Sequence, residues 1–409
     1  MGSMISLGVG TMEIDWGKNN CINYHSSLFK PEDVKQIPYY YLDDYDSYIT
    51  EYKEGYSRKL SSIKLRLDLL GYTLKKIEKM YNGLLKECES HSLNITLSYD
   101  DFSKLLKQID VKKINTLKYA VNYDENGYDF GEFARRCIIP EEEIYSKLLL
   151  ATGEDEYNIY FGLETFFENM DPYIILRLLA ENPNANELDV YWSFSDVVEN
   201  GWVKREDIVQ PLLNSKKIII VTEGSSDSYI IQRTIEQLYP DISDFFKFID
   251  MEKNYPFVGT GNLYNFCCGL MKINIENQII VIFDNDTAGN EKYQKLIEMP
   301  KMDNLLITKL PNNHLFEHIN TLGPQGATAD NINGTAVSIE CFLDFNSCSR
   351  KPEIRWTSYV EKLDKYQGAL ICKDDYIRAF KKANLKDGTY DTTKLKYLID
   401  YLLNEWINR

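Results

Sequence analysis

The chain has 409 residues, of which 44% are hydrophobic and 26% charged, and its 46 basic and 62 acidic residues give a net charge of −16. This composition predicts a globular protein of about two to four domains and excludes general disorder. The acidic balance excludes a simple basic nucleic-acid coat protein. No run of 18 apolar residues is present, so no membrane-spanning helix is expected.

The chain start and the cysteines indicate an intracellular setting. Residues 1–3 are interpreted as a cloning remnant before a natural start at Met4, and no secretory signal pattern follows. The eight cysteines include no C-x-x-C pair, and with only four histidines no zinc-finger spacing is present. Because scattered free thiols are typical of a reducing compartment, we expect a cytoplasmic protein with no membrane partner.

The first half of the chain changes from strand-like to helical patterns. Short β-type runs occupy residues 4–55. Apolar residues then recur at three- and four-residue steps, which predicts an amphipathic helix carrying Leu74, Ile77, Tyr81, Leu84 and Cys88. Gly71 is expected to separate this helix from an earlier one. Residues 97–210 are predicted to be mainly helical, with breaks at Asn122–Gly127 and Glu181–Asn186.

From Pro211 the chain alternates between strand and helix patterns. The clearest strands are the β-branched runs Lys216–Val221 (KKIIIV) and Gln278–Phe283 (QIIVIF). Weaker strands are predicted at Phe245–Ile249 and Asn304–Leu310. Helices are predicted at Ser226–Leu238 and Ala288–Ile297, and a glycine turn that enters a further helix is predicted at Gly259–Leu270. The alternation predicts an α/β domain with a parallel sheet over residues 211–345. Residues 346–409, with 13 basic and 9 acidic residues, are predicted to form a helical extension.

Acidic residues follow both clear strands. Glu223 comes after the first strand, and Asp284 and Asp286 come after the second. Because ligands of open parallel sheets bind beyond the carboxyl ends of the strands, these acids are expected to converge. Asp227 is predicted to face the same site from the first helical turn, and Gly224 to permit a sharp turn before it. Carboxylates this close need a cation, and all-oxygen ligands suit Mg²⁺ or Mn²⁺.

This pair of motifs, Glu-Gly after one strand and Asp-x-Asp about 60 residues later, resembles the Toprim domain over roughly residues 215–345. Toprim is the metal-binding fold of primases, topoisomerases, maturases and OLD-type nucleases. The resemblance implies a Rossmann-like parallel sheet and metal-dependent chemistry on phosphodiesters. An acid-tipped α/β sheet of another kind, such as a phosphatase or a receiver domain, is the alternative.

The residues further along are similar to those of OLD-type Toprim nucleases. The resemblance implies a first metal ion held by Glu223, Asp227, Asp284 and Asp286. It implies that Glu340, with Ser338 beside it, helps to hold a second ion and that Lys373 stabilises charge on the phosphate. Glu223, Asp284, Asp286 and Lys373 would then be the catalytic residues. The alternative for Glu340 and Lys373 is an ordinary surface or capping role.

The chain departs from the OLD family because it contains no G-x-x-x-x-G-K-[ST] motif, so no ATP site is expected. The Gly259–Gly261 segment (Gly-Thr-Gly) is interpreted as a plain turn at a helix start. Residues 4–210 are similar to the HEPN/Toprim-associated N-terminal domain of bacterial defence proteins, through the stretches Gly10–Asn19 and Leu188–Trp202. No histidine fits the R-x₄₋₆-H pattern of an active HEPN RNase, so a scaffold, partner or sensing role is expected there.

Two other patterns are given plain interpretations. His314–His318 matches the inverted zinc-protease motif H-x-x-E-H, but it follows a proline-asparagine turn and is interpreted as a loop. The 30 tyrosines are interpreted as packing residues, although aromatic rings can also stack on nucleic-acid bases.

The combined prediction is a cytoplasmic nuclease that uses two Mg²⁺ or Mn²⁺ ions on DNA or RNA as a bacterial anti-phage effector. The resemblance also implies a homo-oligomer and a phage or host protein as trigger. Two alternatives remain open at this point. One is a primase-like nucleotidyl transferase, and the other is a non-catalytic module whose acids hold a structural metal.

Overall fold

The computed structural model describes residues 2–10, 12–42, 48–90, 97–109, 111, 170–249, 259–273 and 275–409. The chain divides into two units, Met1–Leu212 and Leu213–Arg409. The predicted break at Asn122–Gly127 lies outside the described residues, as does much of the predicted helical stretch around it. Within the described ranges, no helix combines the length and apolarity needed to cross a membrane.

A five-stranded antiparallel sheet forms the centre of the first unit, with the strand order β2-β1-β5-β4-β3. Its strands are β1 (Met4–Val9), β2 (Met12–Lys18), β3 (Val34–Leu42), β4 (Tyr48–Lys59) and β5 (Asp189–Ser193). The β-type runs predicted within residues 4–55 are therefore confirmed. Strand β5 joins the two hairpins because it pairs with both β1 and β4. Its Trp192 is fully buried and stacks on Tyr56 with ring centroids 6.0 Å apart.

The described part of the first unit also contains helices. They are α1 (Leu60–Leu69), α2 (Leu74–Ser90), α3 (Tyr99–Gln108), α4 (Pro172–Leu179), α5 (Ser195–Glu199) and α6 (Arg205–Ile208). The predicted amphipathic helix is confirmed as α2, which buries Ile77, Tyr81 and Cys88. Gly71 separates it from α1, as predicted, and has a φ of +99°. A side chain at that position would be strained, so glycine suits this turn.

The second unit begins with four parallel strands in the order β10-β8-β6-β7. The chain elements are β6 (Ile218–Thr222), α7 (Ser225–Leu238), β7 (Phe246–Phe248), α8 (Thr260–Ile273), β8 (Gln278–Phe283), β9 (Asn285–Asp286), α9 (Thr287–Ile297) and β10 (Leu305–Lys309). The predicted parallel α/β arrangement is confirmed. The chain passes from β6 to β7 on one side and returns to β8 on the other. The strand order therefore reverses between β6 and β8, where open α/β sheets bind ligands.

A second sheet includes the first part of the region that was predicted to be a helical extension. The elements of this part of the chain are β11 (Ile319–Gly323), β12 (Gly326–Asp330), β13 (Ala336–Val337), β14 (Glu353–Val360), β15 (Lys365–Leu370), α10 (Lys373–Lys382) and α11 (Thr393–Ile407). The strand order is β12-β11-β14-β15, and the short β13 pairs with β9. Strand β14 runs parallel to β11, so residues on both sides of position 345 share one sheet.

The prediction of a largely helical extension over residues 346–409 is wrong for its first part, which contains β14 and β15. At the start of strand β14, Ile354 is fully buried while its neighbour Arg355 is exposed, as expected where successive side chains point to opposite faces of a sheet. Pairing with β11 and β15 satisfies its backbone on both sides. The helical prediction is confirmed for α10 and α11, and α11 buries one apolar face that includes Leu398 and Leu402.

Candidate functional site

The carboxyl ends of β6 and β8 lie side by side, and an acid follows each strand. Thr222 pairs with Ile282 in the parallel register, so Glu223 and Asp284 leave the sheet at the same edge. The backbone N–H of Asp284 donates to Oε1 of Glu223 at 3.0 Å. These two predicted site residues are therefore in direct contact at the reversal of strand order.

Asp286 begins helix α9 and also anchors strand β15. Its Oδ1 accepts a hydrogen bond from the backbone N–H of Gly289 at 2.7 Å, which caps the helix. The side-chain amide of Gln367 donates to its other oxygen. The carbonyl oxygen of that same amide accepts from the backbone N–H of Ala288 at 3.1 Å. Asp286 therefore stabilises the start of α9 and the position of β15, in addition to its predicted role in the site.

Asp227 closes the turn that follows β6. Its two carboxylate oxygens accept from the backbone N–H of Gly224 at 3.1 Å and from the hydroxyl of Ser226 at 3.2 Å. Gly224 has extended backbone, with φ −145° and ψ 163°. The prediction that this position needs glycine for a sharp turn is therefore wrong, since any residue adopts such a conformation.

Glu340 reaches the same region through β13, which pairs with β9 and leads into a 3-10 turn, Ile339–Phe342. The Ser338 hydroxyl donates to Oε2 of Glu340 at 2.7 Å. Nζ of Lys373 lies 3.9 Å from Oε1 of Glu340. The glutamate side chain is buried, whereas that of Lys373 is 58% exposed, so this ion pair is long and weak.

Burial and mutual repulsion raise the pKa values of Glu223, Asp227 and Asp284. The pKa of Asp284 lies well above its usual value, chiefly because of desolvation and then because of the charges of Asp227 and Glu223. Burial raises the pKa of Asp227 to about 7, with further contributions from Glu340 and Glu223. Burial also raises the pKa of Glu223, although a hydrogen bond from Thr260 opposes the effect. The carboxylates therefore disfavour one another's charged forms.

The described acids are not arranged as a preformed metal-coordination site. Among the residues that the structure describes, no three carboxylate, imidazole or thiol groups are positioned to hold one metal ion. The oxygens of Glu223, Asp227 and Asp286 are instead bonded to protein donors. Only Asp284 among these acids lacks a hydrogen-bond donor within the described part of the chain. The chemistry of hard, mutually repelling carboxylates fits Mg²⁺ or Mn²⁺, and binding would exchange protein donors for the cation.

Three contacts to these acids were not predicted from the sequence, two to Glu223 and one to Asp286. The hydroxyl of Thr260 donates to Oε2 of Glu223 at 2.6 Å, and the backbone N–H of Gly259 donates to the Glu223 carbonyl at 3.1 Å. The Gly-Thr-Gly turn at a helix start is confirmed, but it also holds the glutamate. Its position after a predicted strand was the available signal. Gln367 gave no such signal, because it lies 81 residues from its partner Asp286.

A lysine beside residues Asp284–Asp286, which we call the acidic loop, was also not predicted from the sequence. Nζ of Lys309, at the end of β10, lies 3.0 Å from Oδ1 of Asn285 and also donates to Asn290. Burial lowers the pKa of Lys309, and the nearby charge of Lys365 lowers it further. The available signal was its place at the carboxyl end of a predicted parallel strand, where the acids also converge.

The H-x-x-E-H segment lacks the helix that a zinc-protease site requires. Residues His314–Phe316 form a single 3-10 turn, and strand β11 begins at Ile319. Its two histidines therefore cannot lie on one face of an α-helix. The loop interpretation is confirmed.

Comparison with known proteins gives one family. The family model described as HEPN/Toprim N-terminal domain 1 matches residues 1–216, which is more than half of the 409 residues. Comparisons with curated proteins and with solved structures gave no match. The matched residues cover the first unit and end just before β6, so they do not include the converging acids. On the basis of this match, the chain belongs to the HEPN/Toprim N-terminal domain 1 family.

Proposed function

We propose that this protein is a metal-dependent nuclease of Toprim type that hydrolyses phosphodiester bonds of DNA or RNA as a bacterial anti-phage effector. The observation that carries the proposal is the group of mutually repelling acids at the reversal of strand order between β6 and β8. Membership of a family named for its association with HEPN and Toprim domains supports the same conclusion.

The proposed metal ligands are five of the acids of the second unit, namely Glu223, Asp227, Asp284, Asp286 and Glu340. When bound, one or two Mg²⁺ or Mn²⁺ ions would activate a water molecule and stabilise the leaving oxygen. Asp284 is proposed as the first ligand because the described residues give its carboxylate no hydrogen-bond donor. Thr260 would keep Glu223 oriented while its other oxygen turns to the metal.

The cationic side chains near the acids have separate proposed roles. Lys373 is exposed and only loosely paired with Glu340, so its ammonium group is free to reach a scissile phosphate. Ser338 would hold Glu340 in place through its hydrogen bond. Lys309 is bonded to two asparagine side chains and is better suited to supporting the acidic loop than to contacting substrate.

A non-catalytic module is the second candidate, and one observation favours it. Four of the five acids already have a protein donor on a carboxylate oxygen. Such an arrangement would suit acids that stabilise the fold or hold a structural metal while the first unit recognises a partner. This candidate predicts metal binding without turnover.

A cleavage assay with purified protein tests the proposal. The substrates are supercoiled plasmid, single-stranded DNA, tRNA and mRNA, each with Mg²⁺, Mn²⁺ or EDTA. We expect metal-dependent cleavage that falls at least 100-fold in Glu223→Gln and in Asp284→Asn. Glu298→Gln is the matched control, because it removes an exposed acid of the same unit. Full cleavage by Asp284→Asn would contradict the site assignment.

Other readouts separate the remaining candidates. Tight Mn²⁺ binding by calorimetry, with no cleavage of any substrate, would favour the non-catalytic module. Incorporation of labelled nucleotides would favour a primase-like transferase. We also propose that the protein is a homo-oligomer activated by a phage or host protein. Light scattering measures its mass, and cleavage before and after addition of phage-infected lysate tests for the trigger.

A further inference from the structure

Three aromatic side chains stand together at the exposed end of the β14–β15 hairpin. We call Trp356, Tyr359 and Tyr366 the aromatic hairpin. Tyr359 and Tyr366 face each other across the two strands, with ring centroids 5.0 Å apart. The rings of Trp356 and Tyr366 are 5.9 Å apart. Tyr359 is 47% exposed and Tyr366 is 41% exposed, so this cluster is not part of the core.

The rings are held in place at the surface. Trp356 lies over Gly368, where an added Cβ would come within 2.9 Å of the indole ring. The hydroxyl of Tyr359 donates to Asp364. The hairpin is therefore an ordered aromatic surface whose rings need little reorganisation to accept a planar ligand.

The aromatic hairpin adjoins the proposed metal site. The backbone carbonyl of Tyr366 accepts from the hydroxyl of Thr287 at 2.7 Å, and the adjacent Gln367 donates to Asp286. A chain lying across these rings would therefore begin next to the acidic loop.

The charge around the hairpin also suits a phosphate backbone better than the rest of the chain does. Residues 351–370 contain four basic and three acidic residues, whereas the whole chain has a net charge of −16. Arg355, Lys362 and Lys365 are exposed there. Nζ of Lys362 lies 3.6 Å from Oε1 of Glu291. Because an exposed ion pair of this length is weak, another anion can take the place of the glutamate beside the lysine. The positive charge of Lys365 also lowers the pKa of Lys309, which lies beside the acidic loop.

We propose that the aromatic hairpin binds the bases of a single-stranded nucleic acid and delivers that strand to the acidic site. The delivery step rests on the proposed nuclease function, whereas the binding step does not. Exposed rings stack on unpaired bases of any sequence, and nearby lysines and arginines hold the phosphates. In a duplex the faces of the bases are covered by their neighbours, so stacking selects single strands. The proposal replaces the packing interpretation of the tyrosines for this cluster only.

Binding is measured with EDTA present, so that cleavage does not interfere. Fluorescence anisotropy follows short labelled oligothymidine, oligouridine and a duplex of equal length with the full chain. We expect both single strands to bind and the duplex to bind at least about 10-fold more weakly. Tyr366→Ala and Tyr359→Ala should each weaken single-strand binding roughly 5- to 100-fold.

Matched variants show whether the ring itself is required. Tyr366→Phe keeps the ring and should bind single strands as the unchanged protein does. Tyr52→Ala removes a tyrosine of the first unit that is 67% exposed and should have no effect. Circular dichroism of each variant shows whether the hairpin variants remain folded. Wild-type affinity in both alanine variants, equal binding of duplex, or no binding of any oligonucleotide would overturn the inference.

The same proteins separate this inference from the proposed function. Ring-dependent binding without metal-dependent cleavage would support the single-strand surface and contradict the nuclease. Metal-dependent cleavage that is lost in Asp284→Asn, but is unchanged in both alanine variants on single strands, would support the nuclease and contradict the role of the hairpin.

Discussion

Both units bury charged side chains, but they pair those charges in opposite ways. In the first unit, the guanidinium of Arg177 is buried and lies 2.8 Å from Asp68, with Glu181 as a second partner. In the second unit, Glu223 and Asp227 lie beside further acids, and desolvation together with those neighbouring charges raises their pKa values. Unlike charges are neutralised within the first unit, whereas like charges are left facing one another in the second.

This difference in charge pairing distinguishes charges that stabilise the fold from charges that are available for a ligand or a reaction. A buried ion pair leaves no unsatisfied charge, and removing one partner is costly for the fold. Buried like charges lower the stability of the protein, and such clusters occur where a ligand or a reaction needs them. The comparison therefore identifies the second unit as the one whose acids are expected to act on something outside the chain.

Breaking the ion pair of the first unit should have the largest effect on stability. Arg177→Ala leaves Asp68 buried without its partner, and we expect the free energy of unfolding to fall by about 3–5 kcal/mol. Urea unfolding followed by tryptophan fluorescence measures the change. Arg205→Ala is the control, because its pair with Glu54 is exposed and should contribute less than about 1 kcal/mol. Equal losses of unfolding free energy in Arg177→Ala and Arg205→Ala would show that the buried pair contributes no more to stability than the exposed pair.

Removing an acid from the second unit should change stability in the opposite direction. We expect Asp284→Asn to raise the free energy of unfolding in EDTA by about 1–3 kcal/mol, because the amide relieves repulsion without changing size. Thermal unfolding at neutral pH measures the gain. The same variant should lose cleavage. A destabilised Asp284→Asn would show that the carboxylate contributes to the fold.

Stability of the metal-free protein should also depend on pH through Asp227. Its pKa in the folded protein is about 7, above the ordinary value of 3.8. The folded protein therefore keeps a proton that the unfolded chain releases, so the free energy of unfolding falls as pH rises from about 4 to 7. We expect a loss on the order of 2 kcal/mol, reduced by solvent access to the site.

Unfolding across this pH range in EDTA measures the loss, and Asp227→Asn should flatten the profile. Addition of Mg²⁺ at pH 7.5 should restore stability, because a ligand that binds only the folded state stabilises it. A profile that rises between pH 4 and 7, or one that Asp227→Asn leaves unchanged, would contradict the assignment.

The smallest stability effect is expected at Lys373. Its ion pair with Glu340 spans 3.9 Å and is exposed on the lysine side, so Lys373→Ala should cost less than about 1 kcal/mol. Under the proposed mechanism, it should lower turnover about 10-fold or more while Mn²⁺ affinity changes less than about threefold. Lys386→Ala, at an exposed position of the same unit, is the control. Unchanged turnover would remove Lys373 from the mechanism.

Local patterns were sufficient for the elements whose side chains have a clear period. The amphipathic helix α2 and the apolar strands β6 and β8 follow directly from the spacing of their hydrophobic residues. The adjacency of Glu223 and Asp284 also followed, because parallel strands of one sheet end at a common edge. The hairpin of β14 and β15 was missed because Gly368 and a register shift after Trp356 interrupt its alternation.

Sequence periodicity thus specifies which residues follow which buried strand, since side-chain burial depends on neighbours only a few positions away. It does not specify partners separated by many residues. Thr260 holds Glu223, Gln367 holds Asp286, and Ser338 holds Glu340 only once the sheets have formed. Those contacts depend on packing between distant segments, where one added or shifted residue changes which side chains meet. The sequence therefore shows which acids follow the buried strands. Their hydrogen-bond partners and the repulsion between their carboxylates depend on the tertiary structure, which brings distant segments together.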